Sequence, residues 1–398
     1  MNSRANTFSR AALSCSGFFW GLLVALGFTG CVESQTGLGL YEASFGTEPP
    51  TTILVQRAPA AWVVRNGAER IALKHLGGEN YRVPVFGGSW QGGWVGEEWV
   101  GVWTDSLRSP NYHVSVTLKP LAVVDNTTDL METTTSSWDT SEGLLLMSER
   151  GDSLWATIST PTGDYRFLAG KRLDNLLVFN TFDGAHLFRI EATVRGDSLV
   201  NGSFLSGIHY HTSFEGQRSE KPNSTWSSST QNPISHALEF SGINHLGDSV
   251  SWSLGELRGL GKKGLVLDVM GTWCPNCMDE ARLLRELAPQ YPEVQFLSLA
   301  FERSTGQEAL LRLEAFRQEM MLPWDVWLGG RASKSEAAKA LSAIDTIHSF
   351  PTTVFWPLEG APAVHNGFNG PATGEGYSVE QAFFRDQLNR ISGRSENR

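Results

Sequence analysis

A change of apolar rhythm partway along the 398-residue chain constrains its fold more than any other feature. Up to about residue 216 the apolar residues come in short alternating runs. "HVSVTLKPL" places Val114, Val116 and Leu118 on one face, and "FRIEATVRG" does the same with Ile190, Ala192 and Val194. Turn-forming stretches such as "TPTGDYRF" and "NTFDGAHLF" separate these runs. A period of two broken by turn residues predicts antiparallel strands with one buried face, so residues 50–216 are expected to form an all-β sandwich or barrel domain. Beyond residue 236 the runs become continuous: "GLVLDVM" (264–270) and "VQFLSLAF" (294–301) suit strands covered on both faces. Between them "CMDEARLLRELAPQY" carries Ala281, Leu284 and Ala288 on one stripe with Leu283 and Leu287 beside it, which is helical spacing. Thr305 and Glu308 form a capping-box pattern ahead of Leu310, Leu313 and Phe316. "WDVWLG", a short helix around 333–342, "TTVFWP", "PAVHNGF" and a last helix opened by Ser378 and Gln381 continue the alternation. Residues 236–393 are therefore expected to form an α/β domain, a mixed central sheet flanked by helices. The Ser-, Thr-, Asn- and Pro-rich stretch at 217–235 reads as a linker.

Residues 1–30 carry Arg4 and Arg10, no acid, and then an apolar run ending in small residues. This is the pattern of an export signal; a retained single span is the alternative reading. The ending "GFTGC" resembles the lipobox of bacterial lipoproteins. That resemblance implies that Cys31 becomes the lipid-modified first residue of a chain anchored in the cell envelope, facing the periplasmic space. Val32 in place of Asp leans towards the outer membrane, and residues 31–49 would be a tether.

The chain has four cysteines, Cys15, Cys31, Cys274 and Cys277. Processing would leave two free thiols in the folded part, both in "GTWCPNC" (271–277), which excludes a disulfide framework and a cysteine-only zinc site. The formal net charge of −10 argues against a nucleic-acid partner. Cys274 follows a strand and opens a helix, whose unpaired N–H groups and dipole favour a thiolate. Cys277, one turn on, is expected to be more buried, and Pro275 suits the first helical turn. Asp268 lies inside an apolar strand, where a carboxylate is costly to bury. It reads either as an acid at a strand edge or paired with Lys262 or Lys263, or as a buried proton acceptor for Cys277 with a raised pKa. Pro351 either starts the strand that follows or forms a cis bond that exposes the Phe350 backbone to an extended substrate.

Residues 236–393 resemble the thioredoxin-like disulfide reductases of the TlpA/ResA type. "LVLDVMGTWCPNCMDEARLL" matches that family's strand, active-site turn and first helix, and "FPTTVFWPLEGAPAVHNGFNGPATG" matches its cis-proline loop and closing hairpin. The resemblance implies that Cys274 attacks a substrate disulfide, Cys277 resolves the intermediate, Pro351 is cis, and residues 306–330 are an inserted helix and strand. It places Trp273, Pro275 and Phe350 on the substrate side. It further implies no bound cofactor, disulfide-bearing envelope proteins as substrates, and a membrane thiol carrier as electron donor. Asp268 occupies the place of thioredoxin's buried acid, where TlpA-type proteins often have Asn. Parts of the N-terminal half resemble the β-rich domain that precedes such modules in some envelope lipoproteins. Two other functions remain open on the sequence. One is copper handling on the same fold through both thiols and His348; the other is a binding or scaffold role centred on the β-rich domain. His209 and His211 read as ordinary residues on one face of a strand, and the tryptophans of "GGSWQGGWVGEEWVGVW" as core or as a binding face. Whether the chain reduces or oxidises depends on its potential.

Overall fold

The computed structural model describes residues 39–58, 61–121, 132–220 and 239–394. The signal segment, Cys31 and most of the linker lie outside the described residues. No helix among the described residues is long and apolar enough to cross a membrane.

The β-rich half contains two closed sheets where one domain was expected. The first comprises β1 (Gly39–Phe45), β2 (Thr51–Ala58), β3 (Ala61–Asn66), β4 (Glu69–Gly77), β5 (Asn80–Arg82), β6 (Ser89–Val95), β7 (Glu98–Thr104) and β8 (His113–Pro120). These strands form an antiparallel barrel that closes where β1 pairs with β8. A barrel of this size is filled by its own side chains. Trp62, Trp90, Trp99 and Trp103 occupy the interior beside Phe45 and Tyr81, so most of the tryptophan-rich stretch is core. Gly92 and Gly101 face each other across β6 and β7, and a Cβ on either would run into the Trp99 indole. The predicted tether is corrected by β1: residues 39–45 alternate buried and half-exposed, and strand pairing on both sides takes them into the barrel.

The second sheet comprises β9 (Thr134–Thr140), β10 (Gly143–Arg150), β11 (Ser153–Thr160), β12 (Gly163–Asp164), β13 (Leu168–Leu173), β14 (Leu176–Phe182), β15 (Leu187–Arg195), β16 (Ser198–Ser206) and β17 (Tyr210–Ser219). It also closes, because β10 pairs with both β9 and β11, and β12 is a short extra strand on β11. Trp138, Leu145, Ile158, Phe179, Ile190 and Phe214 are among the residues that fill it. β17 runs to Ser219, so the strand takes the first three residues assigned to the linker.

The third sheet comprises β18 (Phe240–Ile243), β19 (Ser249–Trp252), β20 (Gly264–Met270), β21 (Val294–Glu302), β22 (Val326–Arg331), β23 (Thr352–Pro357) and β24 (Ala363–Asn366). Its order is β19-β18-β22-β21-β20-β23-β24, with β20, β21 and β22 parallel and β23 and β24 returning antiparallel. The helices are α1 (Leu254–Gly259), α2 (Pro275–Leu287), α3 (Gly306–Glu319), α4 (Lys334–Ala340) and α5 (Glu375–Ser392). Val266 and Met270 of β20 pack with the apolar stripes of α2, α3 and α5, while Leu265, Leu267 and Val269 pack with α1 and α4. Burial on both faces explains the continuous apolar runs. Thr305 caps α3 without a side-chain hydrogen bond, so the expected capping box does not form there; Ser253 and Glu256 form one at α1. α5 starts three residues before Ser378, after Gly374 with a φ of 60°.

The three sheets interlock. Phe182, at the end of β14, packs against Phe45, Trp90 and Trp103 of the first barrel. Asn66 donates to the Phe182 carbonyl at 2.8 Å and accepts from its N–H at 3.2 Å. Arg82 and the Val85 N–H both reach Glu319 at the end of α3.

Candidate redox site

β20 delivers the chain to a turn that two contacts hold in place. The Trp273 indole N–H donates to the Phe301 carbonyl at 2.9 Å. Glu302, fully buried at the end of β21, accepts from the Thr272 N–H and hydroxyl, both at 2.8 Å, and lies 3.4 Å from Arg312. Burial pushes the Glu302 carboxyl up against the opposing pull of Thr272 and Arg312. Cys274 is the N-cap of α2 in an extended conformation, and its Sγ accepts the Cys277 N–H at 3.2 Å. Pro275 is the first helical residue, where a missing N–H costs nothing.

Cys274 and Cys277 are joined in a disulfide. Cys277 is fully buried and Cys274 is 6 % exposed. The Phe350–Pro351 bond is cis, and the Phe350 carbonyl oxygen lies 3.5 Å from Cys274 Sγ. The Trp273 and Phe350 rings meet edge to face at 5.5 Å. Every residue named for the site from the sequence, apart from Cys31 outside the described residues, therefore belongs to one neighbourhood or lies in the strand beneath it.

Asp268 lies on that strand, in register with Ser298 of β21 and Thr353 of β23. It is neither at an edge nor paired with lysine, since Lys262 and Lys263 donate to the Pro292 and Ser392 carbonyls. The Ser298 hydroxyl donates to Asp268 Oδ2 at 2.9 Å and receives the Trp324 indole N–H at 2.9 Å. Asp268 Oδ1 has no hydrogen-bond partner among the described residues. Burial pushes its pKa up to about 7, despite the Ser298 bond.

A second buried acid, Glu280, projects from α2 and accepts a hydrogen bond from Thr353. Burial first, and the nearby Asp268 charge second, push its pKa well up. Glu280 was missed in the sequence, although a signal existed: it falls on the stripe formed by Cys277, Ala281 and Leu284, where a charged residue is out of place.

The second barrel closes over this end of the helix. Arg166, buried and with a φ of 57°, donates to the Pro275 carbonyl at 2.9 Å and to Asp279 Oδ2 at 2.7 Å, and pairs with Glu69 of the first barrel. Asp164 accepts the Gly370 N–H at 2.7 Å, and the Ser159 hydroxyl donates to Asn369 at 3.1 Å. Gly163 has no room for a Cβ against Asn276. A cavity of about 540 Å³ remains between the disulfide and the barrel. His209 lines it from the turn between β16 and β17 rather than from a strand, in contact with Arg108 at 2.8 Å and Tyr112 at 3.2 Å. Burial and the Arg108 charge lower its pKa. His211 instead contacts Ser203 at 3.1 Å. His348, the imidazole a copper site would use, is exposed.

The sequence matches no family profile and no curated protein. Solved structures that resemble part of it include a secreted disulfide oxidoreductase of Mycobacterium tuberculosis, homologous to E. coli DsbE. Its identity is 19%, with 38% of this chain and 95% of that chain covered, at a TM-score of 0.28. A thiol:disulfide interchange protein of the thioredoxin family from Chlorobium tepidum is 18% identical over 42% of this chain and 99% of its own, at 0.28. The exposed lipoprotein thioredoxin of Streptococcus pneumoniae is 15% identical over 38% and 98%, at 0.27. Likenesses of this size concern about two-fifths of the chain and carry no inference about its activity.

Proposed function

We propose that the chain is a thiol–disulfide oxidoreductase of the cell envelope, built on a thioredoxin-like module of the TlpA/ResA type. The observation that carries this reading is the Cys274–Cys277 disulfide at the N-terminus of α2, with Cys274 as the helix cap. In the reduced state the α2 N-terminus favours the Cys274 thiolate. It attacks one sulfur of a substrate disulfide, and the other substrate sulfur leaves as a thiolate. Cys277, after giving up its proton, attacks Cys274 Sγ and releases the remaining substrate sulfur. The substrate disulfide becomes two thiols and the chain's dithiol becomes a disulfide. A thiol donor, on this reading a membrane-embedded carrier, returns the two electrons. Asp268 suits the role of acceptor for the Cys277 proton, because burial raises its affinity for a proton well above that of an ordinary carboxylate and one of its oxygens, Oδ1, has no hydrogen-bond partner among the described residues. Trp273, Pro275, Phe350 and Pro351 form the rim against which an extended substrate segment lies. Lipid attachment through Cys31 would hold the module at a membrane, the outer one favoured. Catalysed reduction of insulin disulfides with dithiothreitol as electron source tests the reading. Turnover no faster than with dithiothreitol alone overturns it.

The raised Asp268 pKa also has a consequence for stability. An unfolded aspartate titrates near 4 and the folded one near 7, so between these values the folded chain binds more protons and its stability falls as pH rises. Asp268→Asn removes that term. Urea melts of the oxidised chain across pH 4–7 should show the parent losing roughly 1–3 kcal/mol relative to the variant. Parallel pH profiles for parent and variant would contradict the assignment.

A further inference from the structure

We propose that the mouth of the second barrel is the specificity pocket of the redox site. It would take an extended peptide in which the residue beside a disulfide-bonded cysteine has an aromatic or large apolar side chain. The proposal rests on the redox reading for its chemistry, but it makes a separate statement about binding.

The cavity between the disulfide and the barrel holds about 540 Å³, within the range of roughly 300–1,000 Å³ typical of small-ligand sites, and barrel mouths are among their usual places. Cys274, Trp273 and Phe350 form its floor. Facing them is a run of rings from the barrel. Phe188 and Phe204 belong to the barrel's apolar interior and meet at 5.2 Å, and Tyr165 lies 5.5 Å from each. Tyr210 extends the run from Phe204 at 6.0 Å and remains 50 % exposed. The ring cluster of the barrel interior and Cys274 thus line one and the same cavity.

A wall that served only to support the redox module would not require rings at this point. The polar contacts that join the modules at Arg166 and Asp164 line the same cavity, but none of these hydrogen bonds involves the ring side chains. An aromatic patch left facing a cavity marks a place where an apolar group is received. A peptide laid along the Phe350 carbonyl would alternate its side chains, one towards Cys274 and the next towards the barrel mouth. The cysteine and its neighbour would then occupy these two positions. His186, stacked on Phe188 at 4.8 Å and paired with Asp183 at 2.9 Å, supplies a polar rim where the peptide backbone can remain solvated.

The test uses the full chain and hexapeptides of sequence Ala-Ala-Cys-Xaa-Ala-Ala, with Phe or Gly as Xaa, each joined to glutathione as a mixed disulfide. Each turnover converts one mixed disulfide and the chain's dithiol into two thiols and the chain's disulfide, and dithiothreitol restores the dithiol. The expected kcat/KM favours the Phe peptide by about tenfold or more. Tyr210→Ala should reduce that preference to within about threefold, mostly through KM. Equal rates for both peptides in the parent, or an unchanged preference in the variant, overturn the pocket. A second arm measures binding of the serine analogue Ala-Ala-Ser-Phe-Ala-Ala to the oxidised chain by tryptophan fluorescence, against its Gly counterpart. Binding that prefers Phe and depends on Tyr210, without turnover of any disulfide including hydroxyethyl disulfide, sustains the pocket and removes the redox reading. Turnover without preference in either arm does the reverse.

Discussion

Cys274→Ser is expected to reduce catalysed insulin disulfide reduction to the dithiothreitol background, a loss of roughly 10³-fold or more, as removal of a covalent nucleophile produces. The expectation follows from position. Cys274 is the N-cap of α2 and keeps a sliver of exposure, whereas Cys277 is fully enclosed, so only the first sulfur can meet an incoming disulfide. A hydroxyl in its place still accepts the Cys277 N–H, so the helix start and the fold persist while the nucleophile is lost. Cys277→Ser should behave differently: attack still occurs but resolution fails, and a mixed disulfide with substrate accumulates. Mass spectrometry of the quenched reaction distinguishes the two variants. Cys274→Ser retaining parental activity would reverse the roles.

Arg166→Leu should destabilise the chain by about 3–5 kcal/mol, because it leaves buried carboxylates without their cation. The side chain is 2 % exposed and forks to Asp279, Glu69 and the Pro275 carbonyl, joining both barrels to the first turn of α2. Burial works against its charge, but Asp279 and Glu69 outweigh it and raise its pKa above the ordinary value. Asp279 retains Arg282 as a partner on its exposed side, and among the described residues Glu69 retains the Asn66 amide at 3.0 Å. Arg166→Lys should recover part of the loss, since a point charge cannot hold three acceptors in a planar fork. Urea unfolding followed by circular dichroism provides the measurement. A loss below about 1 kcal/mol, the level of an exposed pair, would mean that the junction is not what holds the modules together.

Local pattern made much of this legible. The period-two runs, the continuous apolar strands and the strand–turn–helix around "GTWCPNC" each depend on residues within a few positions of one another. They led to the β-rich half, the mixed sheet, and the placing of Cys274 at a helix start with Asp268 in a strand below. Longer-range features were not legible. That the β-rich half closes as two barrels depends on β1 meeting β8 and β9 meeting β17, pairings with no sequence signature. The linker composition of 217–235 carries no sign of Arg166, whose partner Asp279 lies 113 residues on, beyond that stretch. The aromatic wall is hidden for the same reason: no local pattern marks Phe188 or Phe204, and only the closure of the barrel carries them to the cavity. The sequence predicts His209 and His211 on one face of a strand, but Gly207, with a φ of 56°, turns the chain at His209 instead.

Equilibration of the full chain with glutathione redox buffers, followed by thiol trapping and mass spectrometry, decides whether Cys274 and Cys277 exchange electrons. The pair should titrate reversibly with two electrons and a midpoint between about −270 and −120 mV, the range of thioredoxin-like exchange proteins. A midpoint below about −300 mV, or a disulfide that the buffers leave untouched, would make the bond a structural brace and contradict the redox reading.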